Sequence, residues 1–181
     1  MRIFLGIDID DTTRARLKTL TSNLEVPPKL RVVAPENLHL TLQFLGDVED
    51  GALPAIAAAA RTVATASAPF ELTLAAAGTF GAARRARVLW LGVGAGAAEL
   101  IALADALAQA LEPLGFPPDE RDYTPHLTLA RTRRPLDLRA VVEQIASPNL
   151  SMPASELVLF RSHLSSQGAR YERLEHYPLG V

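Results

Sequence analysis

Period-2 alternation opens the chain. Ile3, Leu5, Ile7 and Ile9 fall on one side, which predicts a strand from Arg2 to Asp10. Asp11 or Thr12 can then cap a helix from Thr13 to Leu24, with Leu17, Leu20 and Leu24 on one face and Pro27-Pro28 as its stop. "LRVV" reads as a short strand before a turn at Pro35-Glu36-Asn37, and Leu38 to Leu45 as a leucine-rich strand. Asp47 is expected to cap a second helix that runs through Ala66. "FELTLAAAGTF" and "RVLWLGV" are two further strands, and Gly94 to Gly96 make a break. Ala97 to Leu114 is helical, closed by Gly115 and Pro117-Pro118. A strand follows from Thr124 to Arg131, then a short helix capped by Asp137 and ending near Ile145. "ASELVLFRSHLS" and "ARYERLEHYPL" are the last two strands, with a turn at Ser166-Gln167-Gly168.

Within this succession one tetrapeptide occurs twice. His-Leu-Thr-Leu stands at His39 to Leu42 and again at His126 to Leu129, 87 positions on. Each copy leads into a helix and then a strand with phenylalanine. The pattern predicts an α+β fold of two pseudo-symmetric lobes. Each half has an antiparallel sheet with helices on one face. The whole chain, residues 1–181, is expected to form one such bilobal domain. The halves are expected to join near Gly94 to Gly96 or Pro117-Pro118, with the terminal strands free to cross.

In a strand, residues two apart share a face. His39 and Thr41 therefore project together, as do His126 and Thr128, while the leucines of each motif turn into a core. Converging lobes would bring two imidazoles and two hydroxyls around one small volume. An imidazole can carry or release a proton near neutral pH, and a hydroxyl can donate to a phosphoryl oxygen. One neutral and one charged histidine make a base and an acid for a phosphodiester, with no metal and no cofactor needed. Zinc is the competing use of paired histidines. No carboxylate accompanies either histidine on its strand face, and threonine is a poor zinc ligand. A lone His-x-Thr in a strand means little; the matched pair in matched context carries the inference.

Composition narrows the setting. Hydrophobic residues make up 49% and charged ones 21% of the chain, the balance of a soluble globular protein. A net charge of −2 excludes a broadly basic nucleic-acid coat but leaves room for a local basic cleft. The absence of cysteine removes disulfides and thiolate sites, and a reducing cytoplasm fits. No run reaches the ~18 to 20 apolar residues of a membrane span. "MRIFLGIDIDD" does not read as a signal peptide, because acidic residues interrupt it at once. Nothing requires more than a monomer.

The motifs, with "RIFLGIDID", "ENLHLTLQFLG", "RVLWLGV", "YTPHLTLAR" and "YERLEHYPL", resemble the 2H phosphoesterase superfamily. Within it, the chain resembles the RNA 2',3'-cyclic phosphodiesterases, also called 2'-5' RNA ligase-like proteins, over nearly its whole length. The resemblance implies a bilobal fold with helices on the outer faces, one motif on each lobe, and an active-site cleft between them. The resemblance implies hydrolysis of RNA ends, or nucleosides, bearing a 2',3'-cyclic phosphate to 2'-phosphomonoesters. It implies His39 as proton donor to the leaving 3' oxygen and His126 as proton acceptor from water. Thr41 and Thr128 would hold the nonbridging oxygens, and Arg131 would add a charge-assisted contact. The alternatives are 2'-5' RNA ligation, hydrolysis of an ADP-ribose cyclic phosphate, or a non-catalytic nucleotide- or RNA-binding module.

Other residues have weaker claims. Phe44 is expected on the His39 face at the cleft edge, where it can stack on a base or ribose. Trp90 is expected in a core. Tyr123 and Pro125 can flank the cleft. Arg84, Arg85 and Arg87 form one basic run, and Arg131, Arg133 and Arg134 another. His163 and His176 read as structural or surface residues, and Asp8, Asp10 and Asp11 as a solvated edge or helix cap.

Overall fold

The computed structural model describes residues 1–118, 121–145, 147–165 and 168–181. In chain order the elements are β1 (Arg2–Asp8), α1 (Asp11–Ser22), β2 (Arg31–Val32), β3 (His39–Asp47), α2 (Leu53–Ala66), β4 (Phe70–Thr79), β5 (Ala86–Val93), α3 (Ala97–Leu111), β6 (His126–Leu136), α4 (Arg139–Gln144), β7 (Leu150–Ala154), β8 (Glu156–Ser165) and β9 (Gly168–Pro178). The expected turn at Ser166-Gln167-Gly168 lies, but for Gly168, outside the described residues.

All strand pairs are antiparallel. The order is β7-β4-β5-β6-β3-β1-β8-β9, with β2 added beside β6. The two motif strands, β3 and β6, meet in the middle at one pair, Leu40 with Leu127. On either side lies a four-stranded lobe: β3-β1-β8-β9 and β6-β5-β4-β7. This is the α+β, two-lobed arrangement the repeat predicts.

The repeat is more regular than the motifs alone reveal. α1 and α3 begin 86 positions apart (Asp11, Ala97), as do α2 and α4 (Leu53, Arg139) and β4 and β8 (Phe70, Glu156). The halves exchange parts. β3 leads through α2 into β4, which lies in the other lobe, and the chain after β6 and α4 reaches β8 in the lobe of β3. Neither expected join therefore separates the lobes. Gly94 to Gly96 only link β5 to α3, and Pro117-Pro118 lie between α3 and β6.

One face of the sheet is buried under the helices. α2 and α3 pack on each other, with α3 on β3 and α2 on β8 and β9. α1 reaches β7, and α4 is tied to the chain leaving α1 where Glu25 N–H donates to Gln144 Oε1 (2.8 Å). Leu17, Ile56, Leu107 and Val141, one from each helix, are all within 2% of full burial. They join Leu40, Leu42, Leu127 and Leu129 in one continuous core. Burying a leucine contributes ~2 kcal/mol, so the leucines of both motifs anchor their strands. The helix-free face carries a second, aromatic cluster of Phe4, Phe160 and Tyr171 beside Val158. β1 is thus buried on both faces, not one.

Several caps differ from expectation. Asp10, not Asp11 or Thr12, caps α1 by accepting from Thr13 N–H (3.0 Å). Asp47 ends β3 instead of capping α2, which starts after a 3-10 turn with Pro54 in its first turn. Asp137 precedes α4 and accepts from Arg139 N–H (3.1 Å). β7 was not anticipated as a separate strand, although Leu150, Met152 and Ala154 alternate inward. Among the described residues, no helix is long and apolar enough to cross a membrane.

Candidate active site

The Leu40–Leu127 pair turns its side chains into the core, so the residues flanking it turn to the helix-free face. His39 and Thr128 lie on one side of that rung, Thr41 and His126 on the other. In a regular pair, such diagonal histidines sit roughly 7–8 Å apart. The pseudo-twofold axis of the repeat runs through this rung, because Leu40 and Leu127 are themselves 87 positions apart. The two motifs thus share one surface.

Both imidazoles are anchored alike. His39 Nδ1–H donates to the carbonyl of Asn37 (2.7 Å), and His126 Nδ1–H donates to the carbonyl of Thr124 (2.7 Å). A carbonyl only accepts, so each Nδ1 carries the proton and each Nε2 is left for chemistry. Their Nε2 environments differ. His39 Nε2 is hydrogen-bonded to Thr41 Oγ1 (2.9 Å). His126 Nε2 has no protein partner among the described residues, and Thr128 Oγ1 instead accepts from Arg131 Nη2 (3.1 Å).

Period-2 alternation would put Arg131 on the core face, opposite His126 and Thr128. A β-bulge prevents this. Trp90 pairs with Thr128 and Leu89 with Ala130, so Leu129 is an extra residue and Arg131 turns to the face of His126 and Thr128. β3 has the same bulge. Gly6 pairs with Thr41 and Leu5 with Gln43, so Leu42 is extra and Phe44 turns to the His39 face. Phe44 and Arg131 are equivalent positions of the repeat, also 87 apart. Phe44 lies under the Arg2 guanidinium, 4.6 Å from ring centroid to carbon, and is 46% exposed. At ~3.3 Å per residue it sits roughly 10 Å along the strand from Thr41, at the edge of the face. The bulge brings β3 so close to β1 that a Cβ on Gly6 would lie 2.5 Å from the Leu40 carbonyl oxygen.

Aromatic rings wall both histidines. His39 packs against Phe4 (centroids 4.7 Å apart), Phe160 (5.5 Å) and the edge of Tyr171 (4.9 Å). His126 packs edge-on against Phe80 (4.8 Å) and near Trp90 (6.4 Å). Trp90, expected in a core, is a half-buried wall of the site and lies across Gly78. Tyr123 packs on the main core, and its hydroxyl is buried without a hydrogen-bond partner among the described residues.

These surroundings favour neutral imidazoles. Burial lowers the His39 pKa to about 4; the Asn37 carbonyl and Asp8 oppose this, while Arg131 and Arg173 reinforce it. Burial also lowers that of His126, and Arg131 adds to the effect. Arg131 therefore acts electrostatically on both rings.

Asp8, read from sequence as part of a solvated edge, is a half-buried buttress opposite His39. It accepts from Arg14 Nη2 (2.9 Å) and from both Nη2 (2.8 Å) and Nε of Arg173. Burial pushes its carboxyl up, but the bonds from Arg173 and Arg14 outweigh this and its pKa is lowered. The same arginines reach the carbonyls of Pro35 and Glu36, while Asn37 takes Tyr171 N–H and gives Nδ2–H to Ala169 O. The turn that holds His39 is thus tied to β1, α1 and β9. The even phase of Asp8 with Phe4 and Gly6 was a usable sequence signal; the arginine partners were not. His163 and His176 pair with Glu172 and Glu156 away from these motifs. Among the described residues, no group of three or more histidines and carboxylates is placed to share a metal.

The sheet seam thus carries two imidazoles, two hydroxyls and a guanidinium on one face, groups able to bind a phosphoester and exchange protons with it. The chain belongs to the 2'-5' RNA ligase superfamily, whose sequence profile matches residues 10–165. An RNA 2',3'-cyclic phosphodiesterase of Methanothermobacter thermautotrophicus is 36% identical, covering 99% of both chains. One of Escherichia coli strain K12 is 31% identical over 98% of this chain and 96% of its own. The crystal structure of Escherichia coli LigT complexed with 3'-AMP superposes with a TM-score of 0.81 at 30% identity, covering 99% of this chain and 98% of that one.

Proposed function

We propose that the protein hydrolyses 2',3'-cyclic phosphate ends of RNA to 2'-phosphomonoesters by two-histidine acid–base catalysis, without a metal. The single observation that carries this is the matched presentation of His39 and His126: one face, one tautomer, and Arg131 acting electrostatically on both rings. The relatives' printed activity supports the substrate class.

In this reading Arg131, Thr41 and Thr128 hold the nonbridging oxygens. A water opposite the 3' oxygen attacks phosphorus and gives its proton to His126 Nε2. The bond from phosphorus to O3' breaks, and His39 Nε2–H protonates O3'. The open Nε2 of His126 suits the acceptor. His39 must first be charged, and the bound phosphoryl anion raises its pKa by direct attraction. The Arg131 guanidinium, bonded to Thr128 and acting on both rings, would repel a divalent cation, which supports a metal-free route. Phe44 at the edge of the face is proposed to meet a base or ribose. We further propose that residues 1–181 act as one catalytic unit, a monomer in the cytoplasm.

The test is incubation with nucleoside 2',3'-cyclic phosphates and with RNA bearing that end, followed by phosphorus NMR. A 2'-phosphate product is expected. Alanine at His39 or His126 should each lower turnover by ~10²- to 10⁴-fold with the fold intact. Wild-type rates in both variants would refute the mechanism.

A further inference from the structure

A groove of about 700 Å³ opens beside the catalytic face and is continuous with it. Arg131, Asn37 and Tyr171 line the groove. Each also belongs to the site: Arg131 through Thr128, Asn37 through His39 Nδ1, and Tyr171 through its edge against the His39 ring. From there the groove follows β2, the outer part of β6 and the start of β9.

Its remaining charges are all positive. Lys29, Arg31, Arg133 and Arg134 line it, and no carboxylate is among its lining residues. Among the described residues, no acidic side chain makes a salt bridge with any of these four or with Arg131. The chain carries a net charge of −2, so this is local concentration and not general basicity. Five uncompensated cations along one groove repel one another and attract an extended polyanion. Val32, 39% exposed, adds apolar surface between the charges. The other arginine run, Arg84, Arg85 and Arg87, does not line the groove.

We infer that this groove binds the single-stranded RNA chain on the 5' side of the cyclic phosphate, with Lys29, Arg133 and Arg134 contacting its phosphates. The inference rests on the function proposed above and deepens it. A terminal ribose held by its 2',3'-phosphate leaves through O5' to the preceding phosphate, and Arg131 marks where the groove begins. The protein is then an enzyme of polynucleotide ends, for which mononucleotides are truncated substrates.

The experiment compares kcat/KM for a nucleoside 2',3'-cyclic phosphate and for a short oligoribonucleotide with the same end. It uses the wild type and a Lys29→Ala, Arg133→Ala, Arg134→Ala variant. With about three phosphates engaged, raising salt tenfold should cost the oligonucleotide roughly 10²-fold more than the mononucleotide. The variant should keep wild-type turnover of the mononucleotide, which also verifies its fold, and lose most of that extra salt dependence and of the oligonucleotide advantage. Equal kcat/KM for the two substrates in the wild type, or an oligonucleotide advantage untouched in the variant, would overturn the inference. Failure of the wild type to cleave either substrate would instead overturn the proposed function beneath it.

Discussion

His39 should make the protein sensitive to acid in a pH range where carboxylates are still ionised. In the folded chain its pKa falls from 6.5 to about 4, chiefly through burial among Phe4, Phe160 and Tyr171. Unfolding releases the ring to water, where it takes up a proton near its ordinary pKa. Stability from this group is therefore complete above neutrality. It declines as pH drops through about 6.5 and stops declining below about 4. At about 1.4 kcal/mol per pH unit, the full loss is at most about 3 kcal/mol. Roughly 2 kcal/mol of that should be gone by about pH 5. Urea unfolding of wild type and His39→Gln, measured near pH 7.5 and near pH 5, isolates the effect. Glutamine can still bond Thr41 but does not titrate, and groups common to both proteins cancel in the comparison. The wild type should lose about 2 kcal/mol more than the variant. Equal losses would show that the folded protein does not hold this ring neutral.

A chelator such as EDTA should leave turnover of the cyclic phosphate unchanged, and strong inhibition reversed by a divalent cation would point to a metal. Gly6→Ala should destabilise the fold by ~1–3 kcal/mol and lower turnover, because its Cβ would push on the Leu40 carbonyl at the seam. Denaturation and steady-state rates measured together would test this, and a fully stable, fully active variant would contradict the described bulge.

The motif strands were legible because the pair of tetrapeptides states its own period: leucines inward, histidine and threonine outward. Arg131 and Phe44 were harder. Counting by twos puts them with the leucines, and only the bulges at Leu129 and Leu42 turn them to the face of the two motif histidines. A bulge is set by how a neighbouring strand pairs, as Gly6 and Trp90 do here, and that partner is remote in sequence. The same limit applies to Asp8. Its acidity suggested solvent, whereas Arg14 and Arg173, the latter 165 positions away, draw it into the support of His39. Trp90 looked like core for want of any sign that its strand had a second, functional face. Of the exchange between lobes, only the crossing of the terminal strands was foreseen as open; the passage of β4 into the other lobe was not visible, because topology follows from which sheet edge is free, not from local pattern.

That exchange has a consequence for assembly. Sever the backbone between β4 and β5, and each fragment retains one motif histidine, but the lobe of His39 lacks β8 and β9 and the lobe of His126 lacks β4. Neither piece can close around its hydrophobic side without the other. The two motif histidines therefore reach their common face together, at the step when the two repeats interlock, and a half-formed chain presents only half of that face.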